Sequence, residues 1–313
     1  MLRCAHMELP SALDRAIMRT LCWFAIFEYP LSVFELWKWL WSPGRAYSLE
    51  EIEVAVENHA WLAERMERVD GFVAVRQPRG VEEWVRLRRE RYVDAARKFG
   101  KLKRVAHWFA MLTFVRAVAA ANTLAWWHTR PESDIDLFVV ARPGTVWSAR
   151  FWCVLPFALF GARPGQRTLD AFCLSFFSSA EALDLSTLRM QEGDPYLAYW
   201  IASLVPVLDK DGACARLLEA NPWVRSALPN AWGRDMTHAP QSRVAFGNLF
   251  PSRGWFETLI AKFQQKKLPV KIRAMANLDT RVVLSDRWLK FHENDRRREY
   301  RERWEALQTE YVA

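Results

Sequence analysis

Asn122-Thr-Leu-Ala-Trp-Trp-His-Thr-Arg-Pro-Glu-Ser-Asp-Ile-Asp-Leu-Phe-Val-Val-Ala141 decides the reading of this chain. Within it, Ile135 to Val140 is a short apolar run that predicts a buried strand. Asp134 and Asp136 stand two apart at the mouth of that run. Strand side chains alternate, so both carboxylates leave one face, roughly 6–7 Å apart along the backbone. Carboxylates so arranged hold hard divalent cations against a polyphosphate, which points to phosphoryl-type chemistry on a nucleotide. The plainer reading is a Ser-Asp turn leading into a strand. Two acids beside so apolar a strand are costly to bury without a cation, which favours the metal.

Around this segment, Phe114 to Ala121 and Leu169 to Phe177 read as further strands, and Thr145 to Phe160 as a helix packed on the sheet. The expectation is an α+β protein whose small mixed sheet carries helices on one face. Toward the N-terminus, Leu13, Ile17, Leu21 and Phe24 recur at helical spacing, and Pro30 ends that helix. Ser32 with Glu35, and Ser48 with Glu51, make capping boxes that open two more helices, the second running through Ala60. Asp70-Gly71 between two β-prone runs is a hairpin signal. Three helices and a hairpin predict a winged helix-turn-helix. Its third helix carries Glu50, Glu51, Glu53 and Glu57 and no Lys or Arg before Ala60, which opposes contact with DNA phosphates. Arg68, Arg76 and Arg79 of the wing favour such contact, so nucleic-acid recognition and protein packing both stay open.

From Val81 to about Met111 the spacing predicts a long charged helix with Leu87, Tyr92, Ala95 and Phe99 on its inner face. It links the two halves and lies either along an anionic ligand or in solvent. After Pro206 helical segments are expected, with loops at Asn221-Pro222-Trp223 and Pro229-Asn230. The stretch from Leu284 to Tyr311 reads as a solvated helix with ion pairs three or four apart. The resulting plan is a winged helix-turn-helix over 1–78, a linking helix over 79–112, the sheet core over 113–210 and a helical C-terminal region over 211–313.

Composition narrows the class. The chain has 313 residues, 51% hydrophobic and 26% charged, which describes a globular protein with a sizeable core. Its 44 basic and 36 acidic residues leave a net charge of +8, compatible with a nucleotide, nucleic acid or acidic protein as partner. The five Cys (Cys4, Cys22, Cys153, Cys173, Cys214) form no Cys-x-x-Cys pair, and neither they nor the six His show zinc-ligand spacing. Free thiols in apolar surroundings fit a reducing cytoplasm. No apolar run approaches the ~20 residues of a membrane span, and no secretory signal is legible at the N-terminus.

Ser133-Asp134-Ile135-Asp136-Leu137 resembles the Asp-x-Asp strand of the DNA-polymerase-β-like nucleotidyltransferase superfamily. More narrowly, the helix at 13–41, the segment 84–104, the core at 114–177 and Phe291-His292-Glu293-Asn294-Asp295 resemble bacterial nucleotidyltransferase-domain proteins with an N-terminal winged helix. The resemblance implies a small mixed-sheet nucleotidyltransferase core that uses two Mg²⁺ ions to move a nucleoside monophosphate from an NTP to an acceptor hydroxyl. Asp134 and Asp136 would hold the ions. Asp170 would be the third carboxylate, sharing a metal and accepting the hydroxyl proton; otherwise it is a strand-entry turn residue. Ser133 precedes the Asp pair, and Arg150 matches a basic position able to reach a phosphate, or is an ordinary helix-surface arginine. The departure is Asn122-Thr123, where the family has Gly-Ser in its phosphate loop. Asn tolerates positive φ and Thr keeps a hydroxyl, yet Asn122 adds a side chain, and Trp126-Trp127 stand where small residues are expected. The site is thus either a rebuilt active one or a catalytically silent nucleotide-binding regulator; a winged-helix DNA-binding regulator is the third possibility.

Overall fold

The computed structural model describes residues 9–165, 169–231, 252 and 254–312; Cys4, His6 and His238 lie outside them. The N-terminal unit comprises α1 (Ala12–Ala25), β1 (Leu31–Ser32), α2 (Val33–Lys38), α3 (Leu49–Asn58), α4 (Ala60–Arg65), β2 (Met66–Val69) and β3 (Phe72–Val75). Both expected capping boxes form: the Ser32 and Ser48 hydroxyls accept from the N–H groups of Glu35 and Glu51, whose carboxylates accept in return from the cap N–H groups. Asp70 (φ 51°) and Gly71 (φ 82°) turn the hairpin between β2 and β3 in the left-handed conformation that suits strand twist. The short β1 pairs with the other edge of β3. The helix expected from Ser48 through Ala60 breaks at His59, whose backbone is extended and whose ring bonds Asp14 of α1 at 2.6 Å.

A 30-residue helix, α5 (Glu82–Met111), follows. Its inner face is Val85, Ala95, Phe99, Leu102 and Phe109, whereas Tyr92 is exposed. Arg91 and Lys98, which looked like members of a solvated face, are buried. Lys98 is satisfied there because its ammonium donates to the carbonyls of Arg130 (2.6 Å) and Ser133 (2.6 Å) and faces Asp94 at 3.3 Å.

The main sheet is built from β4 (Val115–Ala120), β5 (Ile135–Ala141) and β6 (Phe172–Ser179), with α6 (Asn122–Ala125) and α7 (Val146–Leu159) between them. Beyond β6 come α8 (Pro195–Ser203), β7 (Val205–Asp209), α9 (Ala213–Glu219), α10 (Pro222–Ala227), α11 (Trp255–Lys267) and α12 (Val270–Met275). The last elements are β8 (Val282–Leu284), β9 (Trp288–Phe291) and α13 (Arg297–Tyr311). The strand order is β7-β4-β5-β6-β9-β8, with β5 and β6 parallel and the other neighbours antiparallel. The fold is therefore mixed α and β around small mixed sheets.

Helices do not cover one face of this sheet only, as expected, but both. Val118, Leu137, Val139 and Phe177 pack with α5 and α7, while Ala119, Phe138, Val140 and Phe176 pack with α1 and α8. The reason is written in β5, whose apolar run does not alternate with polar residues and so must bury both sides. The second layer is aromatic: Trp23 stacks on Tyr199 at 5.2 Å, Phe138 meets Trp200 at 5.3 Å, and Trp304 of α13 stands edge-on to Trp23 at 5.8 Å. One continuous core thus joins the N-terminal unit, the sheet and α13. Among the described residues, no helix is long and apolar enough to cross a membrane.

Candidate functional site

Asp136 shares its strand face with Phe138 and Val140, so the Asp pair opens toward the aromatic layer. There it lines a cleft of about 560 Å³ whose floor adds Cys173 and Ser175 of β6 and whose far wall is Lys290 to Arg297. Asp134 and Asp136 are thus brought together, as expected. Among the described residues, the Asp134 carboxylate has no hydrogen bond and no ion pair; burial raises its pKa. Burial also raises Asp136, to about 6, and repulsion from Asp134 adds to this, while the Asn122 and Cys173 side chains favour its charged form. Lys98 offsets part of this in both residues, but burial prevails and the carboxylate pair remains costly to ionise without a further cation.

Asn122 follows β4 directly and adopts φ 52°, the left-handed conformation that a glycine would take without cost. Its side chain is held within the cleft, where the Tyr196 hydroxyl of α8 donates to Oδ1 at 3.1 Å and the amide also bonds Asp136. Thr123 is exposed and faces a neighbouring aromatic pocket instead of the cleft. Ser133 does not line the cleft either: its hydroxyl accepts from the Arg130 N–H at 3.0 Å and its carbonyl accepts from Lys98, which sets the turn ahead of Asp134.

Asp170 and Arg150 lie elsewhere. Arg97 grips the Asp170 carboxylate with two bonds of 2.5 and 2.7 Å, and Lys101 and Lys98 stand at 3.6 and 3.7 Å. These contacts, Arg97 first, hold Asp170 down at about 2. The residue register-paired with Asp136 across β5 and β6 is Cys173, three positions further on. Asp170 sits before β6 begins, at φ 53°, so the turn into the strand carries it to the α5 side. Arg150 reaches Gln264 of α11 at 2.5 Å and lies over the Phe291 ring, lining a second cavity that meets the first at Cys173 and Ser175.

The far wall of the cleft was not legible as a site. The imidazole of His292 bonds the Ser175 hydroxyl at 3.0 Å; burial, with Lys290 nearby, lowers its pKa to about 3 and keeps it neutral. Arg297 is buried and donates to Asp194 at 2.6 Å and to the Leu188 carbonyl at 2.9 Å. It also pairs with Asp295 at 2.8 Å. Burial alone would raise Asp295, but Arg297 and then Lys290 outweigh it and hold the carboxylate below its ordinary range. The same lattice fixes the turn from β9 into α13. The only early signal for this wall was the segment Phe291 to Asp295, singled out by resemblance.

A divalent cation fits this donor set. Among the described residues no cluster of three His, Cys, Asp or Glu forms a cage for a metal. Mg²⁺ commonly binds through one or two carboxylates and completes its shell with water and substrate phosphates, which is what Asp134 and Asp136 offer. No family model, curated protein or solved structure matches the chain.

Proposed function

We propose that the cleft is the active site of a Mg²⁺-dependent nucleotidyltransferase that moves a nucleoside monophosphate from an NTP to an acceptor hydroxyl. The observation that carries the reading is the carboxylate pair lining one cleft, with no hydrogen bond or ion pair to Asp134 among the described residues. A bound cation would supply charge neutralisation along the triphosphate and polarise the phosphoryl group under attack. Asp134 and Asp136 would hold it. Asn122, already left-handed, lets the backbone approach the phosphates, and its amide oxygen is tied to the Tyr196 hydroxyl. Lys290 and Arg296 face the same space and draw the anion in.

The second reading is a nucleotide-binding regulator without transfer. It is favoured by Cys173 standing opposite Asp136 while Asp170 is committed to three cations. The N-terminal unit we read as a winged helix used for packing. Of its wing arginines, Arg76 donates to the carbonyls of Ala63, Glu64 and Met66, and Arg68 pairs with Glu57 at 3.6 Å, which leaves few cations for DNA phosphates.

The test is incubation with Mg²⁺ and α-labelled NTPs beside a cell extract, using the wild type, Asp134→Asn and Asp136→Asn. Label transfer abolished in both variants is the expected result. Transfer that survives both substitutions overturns the assignment, and Mg²⁺-dependent binding without transfer selects the second reading.

A further inference from the structure

Beside the cleft lies a second cavity of about 530 Å³, and the two share Cys173, Ser175, Phe291 and Glu293. It exists because β9 stops short. The strand β6 begins at Phe172, but β9 pairs with it only over Phe176 to Ser178. Among the described residues no strand borders β6 on that side from Phe172 to Ser175. That stretch opens instead onto Arg150 of α7, Arg163 of the following loop and Lys271 of α12.

Three cations face one carboxylate here, Glu293, and Lys271 pairs with it at 3.4 Å. Arg150 and Arg163 have no ion pair among the described residues, and they repel each other. Burial first, and then Arg163, lower the pKa of Arg150 to about 10. The guanidinium is held in place all the same. Its Nη1 donates to Gln264 at 2.5 Å, it lies over the Phe291 ring at 4.5 Å, and its Nε is enclosed without an acceptor. The remaining nitrogen, Nη2, has no hydrogen bond and is not enclosed, so it is the one open to the cavity. A guanidinium drawn out of water without a counter-ion is costly. Arg297 shows the usual solution in this same fold, since Asp194 and Asp295 both pair with it. At Arg150 and Arg163 the counter-ion is left to a ligand.

We propose that this cavity binds the phosphomonoester group of a small acceptor substrate, with Arg150 and Arg163 as its counter-ions. The inference rests on the reading of the Asp134–Asp136 cleft as a triphosphate site. Arg150 and Arg163 do not line that cleft, so the anion they hold is a different one from the triphosphate. A phosphate dianion balances two guanidinium groups and accepts from their forked donors. Cys173 stands in register with Asp136 and belongs to both cavities. A small acceptor can therefore rest its phosphate at Arg150 and Arg163 and lay a hydroxyl past Cys173 and Ser175 toward the carboxylates. The subsite binds and orients this substrate and adds no chemical step of its own.

The probes are inorganic phosphate and ribose 5-phosphate, with ribose as the uncharged control, on the full chain in EDTA. Both phosphates are expected to bind in calorimetry, and at about ten times Kd to raise the melting midpoint by about 2 °C, while ribose does neither. Arg150→Met and Arg163→Met are each expected to weaken ribose 5-phosphate by about tenfold. Without anions, Arg150→Met is expected to melt no lower than the wild type, because it removes an unpaired, half-buried charge. Arg163 has no ion pair to lose, so its variant separates lost binding from lost structure. In Mg²⁺, saturating tripolyphosphate is expected to leave ribose 5-phosphate binding intact. Equal phosphate binding by the wild type and both arginine variants overturns the anion pocket, as does competition between tripolyphosphate and ribose 5-phosphate. Label transfer into a cell extract is expected to vanish once the extract has been dephosphorylated and the phosphatase removed; transfer that persists overturns the acceptor assignment. Ribose 5-phosphate binding with no binding of tripolyphosphate in Mg²⁺ overturns the cleft reading, and the acceptor role with it, while the anion pocket stands.

Discussion

Asp170→Asn separates a structural from a chemical role at the one of the three expected site carboxylates that does not line the cleft. Asn keeps the tolerance for φ 53° at this position, so the substitution removes charge without adding backbone strain. The folded protein holds Asp170 at about 2 against an ordinary 3.8. A shift of that size corresponds to about 2.5 kcal/mol, at about 1.4 kcal/mol per pKa unit. The Arg97 side chain is half exposed, and solvent screening brings the expected cost nearer 1–2 kcal/mol. The carboxyl is more acidic in the folded state, so its contribution is complete above the unfolded pKa and disappears as pH falls through the folded one. Urea unfolding should therefore show a constant deficit in the variant between pH 5 and 8 that shrinks below pH 4 and closes near pH 2. Mg²⁺-dependent nucleotide binding should stay within twofold of wild type. A variant that keeps its full stability at pH 7 but loses nucleotide binding or transfer would refute this account and return Asp170 to the chemistry.

The other expectations concern the residues around the cleft. Asp136 titrates near 6 in the folded state, above its unfolded value, so with EDTA present wild-type stability should fall as pH rises from 4 to 6. Asp136→Asn should remove that slope and unfold at higher denaturant at pH 7, by about 1–3 kcal/mol; an unchanged slope would deny the burial cost. Lys98→Met leaves the buried carbonyls of Arg130 and Ser133 without their donor, while Asp94 keeps Arg97 and Thr129, and a loss of about 1–3 kcal/mol should appear in thermal melts. Asn122→Gly should be neutral within about 1 kcal/mol while Asn122→Val loses about 1–2 kcal/mol more, because only the second resists φ 52°; equal effects would show that the side-chain bond to Tyr196 outweighs the backbone.

What could be read directly from the residues was local. The two capping boxes, the Asp70-Gly71 turn and the apolar run of β5 each carry their cause within a few positions, and each formed. Asp134 and Asp136 were legible for the same reason, since a period of two puts neighbours on one face. The short β7 and β9 were not anticipated. β7 contains Pro206, β9 contains a buried Lys290, and both are strands because of the neighbours they pair with, Ala117 to Ala120 and Phe176 to Ser178. Asp170 fits a strand-entry residue equally well with or without catalysis; what decides its environment is Arg97, 73 residues away. The same holds for the far wall, where Arg297 finds Asp194 across 103 residues. Buried ion pairs of this kind leave no periodic trace, so a charged run such as Arg91 to Arg104 reads as a solvated face even where Arg91 and Lys98 are inside.

The placement of β9 beside β6 bears on how the nascent chain becomes a protein. Ser178 pairs with Trp288, so the β6 edge has no partner on that side until the ribosome has delivered residues 288–291. Until then Phe-Cys-Leu-Ser-Phe-Phe-Ser-Ser, β-prone and uncharged, presents a bare hydrogen-bonding edge to whatever is nearby. Chains interrupted between β6 and β9 would carry that edge permanently and tend to associate through it. Completing the sheet is then also the step that withdraws its stickiest strand from other molecules, and the loss of β9 would be felt first as poor solubility and only afterwards as a missing wall of the cleft.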